Sequence, residues 1–312
     1  MSTARLQNGP PDLSVQVGPL LLKNPVLAAS GTFGYGQEFQ ELIDLSRLGG
    51  IVTKAITLEP RLGNPPPRIV ETASGLLNSI GLANVGVEAF VRDKMPFLRT
   101  CGTAVIVNVA GRTKEEYAEV ARHLSDCPGI QALEINISCP NVREGGLAFG
   151  ADPRVAAAVI QAVRKVTCLP VVAKLTPNVT DIVPIARAVQ EVGADALSLI
   201  NTLVGMAIDV ARRRPKLGGI TGGLSGPAIK PVALAMVWKV AQSVKIPVIG
   251  MGGISHVGDA LEFLMAGAVA VQVGTANFAD PTAMIGIVEG LEIYLEEQGI
   301  CSVKEMVGTL EV

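Results

Sequence analysis

Short apolar runs alternate with longer amphipathic segments from one end of the chain to the other. Eight of the short runs are apolar at nearly every position, and this continuous pattern is typical of parallel strands that are buried on both faces. The predicted strands are Val26–Ser30, Ile51–Lys54, Ala104–Asn108, Ala132–Asn136, Val171–Lys174, Ala196–Ile200, Pro247–Gly250 and Ala268–Val273.

The longer segments between these runs predict helices. Thr180, Asp181 and Ser255 are residue types that commonly begin helices, and Gly193 and Gly267 stand where helices end before the next strand. The predicted helices are Gly36–Asp44, Lys114–Leu124, Pro153–Val166, Thr180–Val192, Pro227–Val244, His256–Ala266 and Thr282–Glu297.

Eight strands with helices between them predict an α/β fold of the (β/α)8 TIM-barrel type. A doubly wound sheet is the alternative, but it would carry a Gly-x-Gly-x-x-Gly turn after an early strand, and no such turn is placed there. Two long segments, Thr57–Val87 and Gly205–Gly226, are predicted insertions over the C-terminal mouth of the barrel. We expect one domain over residues 1–312, with residues 1–11 as a flexible tail.

Composition and charge narrow the class of protein. Of the 312 residues, 49% are hydrophobic and 17% are charged, which predicts a large core and little disorder. The net charge is −2, and the basic run Arg212–Arg214 is more typical of a solvated loop than of a nucleic-acid site. No apolar run reaches the roughly 18 residues of a membrane span, and Met1–Pro11 lacks the apolar core of a signal peptide. We therefore expect a cytoplasmic protein without a membrane or nucleic-acid partner.

The cysteines and histidines argue against a metal centre in this chain. The five cysteines form no Cys-x-x-Cys pair, and the two histidines are far apart. No iron–sulfur cluster or zinc site is therefore predicted within the chain.

Polar residues gather at the carboxyl ends of the predicted strands, where barrel enzymes place their functional groups. This distribution predicts one large site. Its candidate members are Ser30, Lys54, Asn108, Asn136, Cys139, Lys174, Asn201 and Thr202.

The glycines after the last two strands suggest a phosphate site. Gly252-Gly253-Ile254-Ser255 follows the seventh strand and Gly274-Thr275 follows the eighth. Backbone N–H groups in these two loops commonly bind phosphate in barrels. Ordinary tight turns are the alternative explanation.

Cys139 and two lysines are the candidate chemical groups. Cys139 lies in the segment Asn136-Ile137-Ser138-Cys139-Pro140-Asn141, and a thiol there can serve as a nucleophile or a general base if its pKa is lowered. Lys54 and Lys174 each close an apolar strand, where a lysine needs an anionic or electron-rich partner. They fit a planar heteroaromatic cofactor, and a Schiff-base lysine of an aldolase is the alternative.

Several long motifs, taken in order, resemble the dihydroorotate dehydrogenase family. The resemblance covers about residues 13–297. The cysteine at position 139 resembles the class 1 enzymes of that family, whereas Asn201-Thr202-Leu203-Val204-Gly205-Met206 and the run from Thr221 to Pro231 most resemble class 1B. The motifs are Thr53-Lys54-Ala55, Asn78-Ser79-Ile80-Gly81-Leu82, Asn136-Ile137-Ser138-Cys139-Pro140-Asn141, Asn201-Thr202-Leu203, Gly222-Gly223-Leu224-Ser225-Gly226, Gly250-Met251-Gly252-Gly253-Ile254 and Val273-Gly274-Thr275-Ala276.

The resemblance implies an FMN cofactor and the oxidation of dihydroorotate to orotate in pyrimidine biosynthesis. It implies Cys139 as the catalytic base, with Lys174 and Lys54 as further catalytic groups. Positions that match flavin contacts are Ser30, Lys54, Ala55, Asn108, Asn136, Lys174, Ile200 and Gly226, with the phosphate at Gly252, Gly253, Gly274 and Thr275. Positions that match substrate contacts are Lys54, Asn78, Ser79, Ile80, Gly81, Leu82, Asn136, Asn201 and Thr202.

Class 1B also implies a partner. A separate electron-transfer subunit with FAD and a [2Fe–2S] cluster would pass electrons to NAD, and two such subunits would join a homodimer of this chain in a heterotetramer. The glycine-bearing loop Asn141–Gly150 is expected to open for substrate and to close over it.

Three alternatives remain open at this stage. The chain could be an FMN enzyme acting on dihydrouracil or dihydrothymine, or a class 1A enzyme that uses fumarate. It could also be a non-catalytic flavin-binding barrel.

Overall fold

The computed structural model describes residues 9–138, 143–144, 147–148 and 150–312. Its strands, in chain order, are β1 Val15–Val17, β2 Leu20–Leu22, β3 Val26–Ala28, β4 Gly50–Val52, β5 Ile69–Thr72, β6 Gly75–Asn78, β7 Ala104–Val109, β8 Ala132–Asn136, β9 Arg143–Glu144, β10 Leu147–Ala148, β11 Val171–Lys174, β12 Ala196–Leu199, β13 Leu203–Met206, β14 Ile208–Asp209, β15 Arg214–Pro215, β16 Thr221–Ser225, β17 Val248–Met251 and β18 Ala270–Val273.

Its α-helices are α1 Val87–Ala89, α2 Met95–Leu98, α3 Lys114–Ser125, α4 Pro153–Arg164, α5 Val183–Glu191, α6 Lys230–Ala241, α7 Val257–Met265, α8 Ala276–Ala279 and α9 Ala283–Gln298. A π-helical turn, Phe90–Lys94, joins α1 to α2, and short 3-10 helices cover Gln37–Phe39, Leu45–Arg47, Pro227–Ile229 and Val303–Met306.

Eight parallel strands close a barrel in the order β3-β4-β7-β8-β11-β12-β17-β18, which confirms the predicted (β/α)8 fold. The strands are buried at nearly every position, as the continuous apolar runs predicted. Helices pack around them because their apolar faces need cover. On α4, for example, Ala156, Val159, Ile160 and Val163 are fully buried.

The two predicted insertions meet in a second sheet. β5 and β6 from the first insertion pair with β16 and β13 from the second in an antiparallel sheet, order β13-β16-β6-β5. In its register Asn78 lies opposite Gly223, although 145 residues separate them. The sheet was not predicted, and neither was the N-terminal hairpin β1–β2.

One predicted helix, Gly36–Asp44, is wrong. Only Gln37–Phe39 forms a 3-10 turn there. Gly36 has a left-handed φ of 85°, and the Asp44 carboxylate accepts a hydrogen bond from the Ser46 N–H. The chain turns at both ends of the segment, and the residues between form one 3-10 turn rather than an α-helix.

Three helix starts also differ from the prediction. α5 begins at Val183 rather than Thr180, with the Asp181 carboxylate accepting from the Val183 N–H. α6 begins at Lys230, after the 3-10 turn at Pro227–Ile229. His256, not Ser255, caps α7, because Asp259 completes a capping box with it. Gly193 and Gly267, with φ of 97° and 108°, lie just past helices as predicted.

The extent of the domain and the predicted tail stay predictions. Residues 1–8 lie outside the described residues. Within the described residues, none of the helices combines the length and apolarity that a bilayer crossing requires.

Candidate active site

A cavity of about 1050 Å³ lies at the carboxyl ends of the barrel strands. Its walls come from the barrel on one side and from the insertion sheet on the other, so the insertions cover the mouth as predicted. Small-molecule sites are commonly concave and of this size.

Nearly all the predicted site residues within the described part of the chain line this one cavity. They are Ser30, Lys54, Ala55, Asn78, Ser79, Ile80, Gly81, Leu82, Asn136, Lys174, Ile200, Asn201, Thr202, Gly226, Gly252, Gly253, Gly274 and Thr275. Cys139 lies outside the described residues. Asn108 is fully buried beneath the cavity, where its amide nitrogen donates to Glu134.

Three glycine turns converge at one end of the cavity. A Cβ on Gly253 would lie 2.9 Å from the Gly226 carbonyl oxygen, and one on Gly226 would lie 3.5 Å from the Thr275 methyl. Gly252, Gly253 and Gly226 all have positive φ, which glycine adopts without strain. The two turns predicted to hold a phosphate thus both lie next to Gly226, a predicted flavin contact.

Asp259 orders the loop after β17. Its carboxylate, which is almost fully buried, accepts from the N–H groups of Ser255 and His256 and from Lys230 Nζ at 2.6 Å. Burial acts to raise the pKa of Asp259, but hydrogen bonds from Lys230, Ser255 and His256 outweigh it and lower the pKa. The N–H groups of Ser255 and His256 are already paired, so a phosphate at this loop would need donors from its earlier residues.

Lys54 follows β4 and is half-buried at the cavity wall. Burial lowers the pKa of its ammonium group, the nearby Arg68 lowers it further, and Glu38 opposes the shift. A half-buried lysine with a lowered pKa is stabilised in its charged form by an anion placed beside it.

Lys174, at the end of β11, is almost fully buried and lines the floor of the cavity. Its Nζ lies 3.5 Å from Oε2 of Glu134. Glu134 is fully buried in β8 and also accepts hydrogen bonds from Asn108, Ser198 and Gln272. Sequence reasoning missed this carboxylate, although a charged residue inside the apolar run Ala132–Asn136 was a visible signal.

Amide side chains surround the centre of the cavity. Asn201 Nδ2 lies 3.4 Å from Asn136 Oδ1, and Asn78 Nδ2 donates to the Gly223 carbonyl at 3.1 Å. Asn178, which sequence reasoning missed, donates to the Thr202 carbonyl. Such groups suit a planar ligand whose edge carries both donors and acceptors.

The backbone just before Cys139 is held firmly. The Ser138 N–H donates to Asn136 Oδ1 at 3.2 Å, and the Ser138 hydroxyl donates to the Lys174 carbonyl at 2.9 Å. Cys139 therefore follows directly on a residue tied to the floor of the cavity.

The described residues contain no group of three or more His, Cys, Asp and Glu side chains arranged to hold a metal ion.

The sequence profile of the dihydroorotate dehydrogenase family matches residues 12–295. A protein of Geotalea uraniireducens is 60% identical over 302 residues, which cover 97% of this chain and 99% of that protein. A protein of Geobacter sulfurreducens is 61% identical over 302 residues with the same coverage. One of Trichlorobacter lovleyi is 58% identical over 301 residues, covering 96% of this chain and 99% of that protein.

All three of these proteins are named dihydroorotate dehydrogenase B (NAD(+)), catalytic subunit. A match of this length and identity indicates common descent, and the cavity of the barrel is lined by residues of the family's motifs. It belongs to the dihydroorotate dehydrogenase family.

Proposed function

We propose that this chain oxidises dihydroorotate to orotate as the FMN-bearing catalytic subunit of a class 1B enzyme. One observation carries the proposal. Eighteen of the positions that match flavin or substrate contacts, spread from Ser30 to Thr275, line a single cavity. These positions lie far apart in the sequence, and the fold brings them together.

The residues present fit FMN. The contacting turns at Gly226, Gly253 and Thr275 offer backbone close to a phosphate. The floor offers the Lys174 ammonium group to the electron-accepting ring. Gln272 Oε1, at the cavity wall, is a buried acceptor without a hydrogen-bond partner among the described residues. When bound, the flavin supplies hydride acceptance.

The remaining part of the cavity fits orotate. Asn78, Asn136 and Asn201 present amides that can pair with the donors and acceptors of a pyrimidine edge. The carboxylate of dihydroorotate is an anion that can pair with the half-buried Lys54. Dihydrouracil and dihydrothymine lack that carboxylate, so Lys54 favours dihydroorotate over them.

The oxidation removes a proton from C5 of dihydroorotate and a hydride from C6. We assign the C5 proton to the Cys139 thiolate, which the hydrogen bonds of Ser138 would hold near the floor of the cavity. Lys54 and the amides would orient the substrate. The insertion sheet would limit the access of water.

The names of the relatives support a partner. "Catalytic subunit" and "NAD(+)" indicate that those proteins work with another subunit and with NAD. For this chain we propose a partner subunit with FAD and a [2Fe–2S] cluster, bound to a homodimer of the chain.

The test is anaerobic mixing of the FMN-loaded protein with dihydroorotate, followed by the loss of flavin absorbance. Cys139→Ser should slow the bleaching at neutral pH by a hundredfold or more, because a hydroxyl is a far weaker base than a thiolate, on the order of 10²–10⁴ for a general base. Cys168→Ser, at an exposed cysteine, is the matched control and should bleach at the wild-type rate.

No bleaching of the wild type by dihydroorotate, with bleaching by dihydrouracil, would reject the proposed substrate. Rapid reoxidation of the isolated chain by fumarate would indicate a class 1A enzyme instead.

A further inference from the structure

A carboxylate lies inside the barrel, directly beneath the cavity. Glu134 on β8 is fully buried. Its Oε1 accepts from Ser198 Oγ at 2.8 Å and from Gln272 Nε2 at 2.7 Å. Its Oε2 accepts from Asn108 Nδ2 at 2.5 Å and lies 3.5 Å from Lys174 Nζ.

These contacts span the barrel. β8 and β18 lie on opposite sides of the closed ring of strands, so the Glu134–Gln272 hydrogen bond crosses its interior. Four donors surround the two carboxylate oxygens, which have about four lone-pair sites. The environment therefore fits the ionised carboxylate, which accepts hydrogen bonds without donating one.

The only charged partner of Glu134 within the described residues is Lys174. A buried charge is costly unless an opposite charge compensates it, and removing one member of such a pair leaves the other strongly disfavoured. Lys174 in turn meets the cavity, where a flavin ring would cover its remaining exposed surface. Glu134 is thus the counter-charge on the protein side of this lysine.

We propose that Glu134 is a positioning residue that keeps Lys174 charged and fixed beneath the flavin in both redox states. This inference rests on the proposed function, because it presumes a flavin above Lys174. With Glu134 in place, the ammonium group has an anion beside it before the flavin accepts electrons. Flavin reduction then requires no change in the protonation of Lys174.

Without the carboxylate, protonation of Lys174 becomes coupled to flavin reduction. Beside an oxidised ring and a neutral side chain at position 134, the buried amine has no counter-charge and releases its proton to solvent. When the ring gains two electrons, the negative charge attracts a proton back from solvent onto Nζ. Reduction of the variant therefore takes up one more proton than reduction of the wild type.

Other groups near Lys174 do not change in this comparison. The side chains that face the pair from the neighbouring strands are neutral, namely Asn108, Asn136, Ser198 and Gln272. Among the residues that the structure describes, the other charged groups that line the cavity are Lys54, Arg61, Glu71 and Asp280. These residues, and Cys139 outside the described residues, are common to every protein compared.

Glu134→Gln is the most suitable substitution, because it removes the charge and nearly keeps the shape of the side chain. The new amide nitrogen would face donors, but Asn108, beneath the cavity, carries an amide oxygen without a hydrogen-bond partner among the described residues. A half-turn of this amide would supply an acceptor. Ser198→Ala is the matched control, since it removes one hydrogen bond from the same carboxylate and keeps the charge.

The experiment is a redox titration of the FMN-loaded proteins with a chemical reductant, repeated between pH 6 and pH 9. For E134Q we expect a midpoint potential that falls more steeply with pH than in the wild type. One extra proton per two electrons adds about 30 mV per pH unit, because a tenfold change corresponds to about 30 mV for a two-electron couple. S198A should keep the wild-type slope, and E134Q/K174R should recover it because arginine stays protonated.

Equal slopes in folded, FMN-loaded E134Q and wild type would overturn the proposal. If E134Q does not fold, K174Q is compared with the double variant E134Q/K174Q, which has no buried charge left in this pair. K174Q leaves the Glu134 carboxylate buried without a counter-charge, so the double variant should unfold at a higher temperature than K174Q at pH 8. Equal unfolding temperatures would contradict the pairing of Glu134 with Lys174.

The titration needs no dihydroorotate, so its result tests the role of Glu134 separately from the proposed function. The proposed function would be rejected if the wild type does not bind FMN, or if dihydroorotate does not reduce the bound flavin. A wild type that does both while E134Q keeps the wild-type slope would reject only the role of Glu134.

Discussion

The Tyr117 hydroxyl donates a hydrogen bond of 2.6 Å to the backbone carbonyl of Asn136. Tyr117 is fully buried on α3, and Asn136 ends β8. The helix layer thereby fixes the strand end from which one amide projects into the cavity. Ser138, two residues later, is tied to β11 through the Lys174 carbonyl. Outer helix and neighbouring strand together set the position of the chain that leads to Cys139.

Tyr117→Phe should lower the free energy of unfolding by about 1–3 kcal/mol, because the buried Asn136 carbonyl loses a hydrogen-bond donor. Urea denaturation monitored by circular dichroism measures the change. Tyr294→Phe removes the same hydroxyl from the partly buried face of α9 and should change stability by less than about 0.5 kcal/mol. Equal losses in the two variants would show that the contact with Asn136 contributes nothing specific.

Lys54→Gln should weaken orotate binding by roughly 10- to 100-fold, because a hydrogen bond to a charged group is worth about 1.5–3 kcal/mol. Calorimetric titration of the FMN-loaded protein with orotate measures the loss. Lys216→Gln, at an exposed lysine outside the cavity, is the control for the change in net charge. An unchanged affinity in K54Q would remove Lys54 from the substrate site.

The pH dependence of orotate binding should follow Lys54. Because burial lowers the pKa of this ammonium group from 10.5, the charge that attracts orotate is lost at a lower pH than for an ordinary lysine. Affinity should fall as pH rises through the lowered pKa. The stability of the ligand-free protein should change in the opposite direction, rising between the lowered pKa and 10.5, because the unfolded chain binds this proton more tightly. K54Q should show neither dependence.

Lys230 binds two carboxylates, and they should differ in importance. Asp259, at 2.6 Å, is almost fully buried, whereas the side chain of Glu262, at 2.9 Å, is 46% exposed. Asp259→Asn should cost about 1–3 kcal/mol and weaken FMN binding, because asparagine is uncharged and offers one acceptor oxygen to the donors of Lys230, Ser255 and His256. Glu262→Gln removes an exposed ion pair with the same lysine and should cost less than about 1 kcal/mol.

Acid should abolish the difference between wild type and D259N. The pKa of Asp259 is lowered from 3.8 in the folded protein, so its stabilisation is present above 3.8 and is lost as pH falls through the lowered value. Thermal unfolding at pH 7 and at decreasing pH should show the two melting curves converge. A constant difference down to the lowest pH would contradict the assigned role of the charge.

The barrel could be predicted because each of its strands is recognisable from a short stretch of sequence. Each strand, such as Val171–Lys174, is a short apolar run bounded by turns, and parallel strands buried on both faces have no other common pattern. The strand ends then fix which polar residues meet, since all eight carboxyl ends lie at one mouth. Most of the candidate site could be located without any distance information for that reason.

The insertion sheet and the Glu134 network could not be predicted in the same way. The strand Thr221–Ser225 contains Gly222 and Gly223, which are poor strand formers, and its pairing with Gly75–Asn78 depends on tertiary contacts. The Glu134 carboxylate accepts hydrogen bonds from residues on three other strands and pairs with the charge of Lys174. A carboxylate inside an apolar run has no local partner that would reveal its role.

Gly253→Ala should disrupt the predicted phosphate turn. Gly253 has a φ of 76°, and a Cβ there would lie 2.7 Å from the Lys230 Cβ and 2.9 Å from the Gly226 carbonyl oxygen. Loop and helix would have to move apart, so we expect FMN affinity to fall at least tenfold, measured by fluorescence titration of the flavin-free protein. Stability should fall by about 1 kcal/mol or more, because alanine is strained in this conformation.

Gly286→Ala is the matched control for that change. Gly286 lies inside α9, and nothing lies within 4 Å of the added Cβ. Alanine there should raise the free energy of unfolding by up to about 1 kcal/mol through its helix propensity and leave FMN affinity unchanged. If G253A binds FMN as tightly as G286A does, the turn after β17 does not hold the phosphate, and the flavin must lie in the cavity in another orientation.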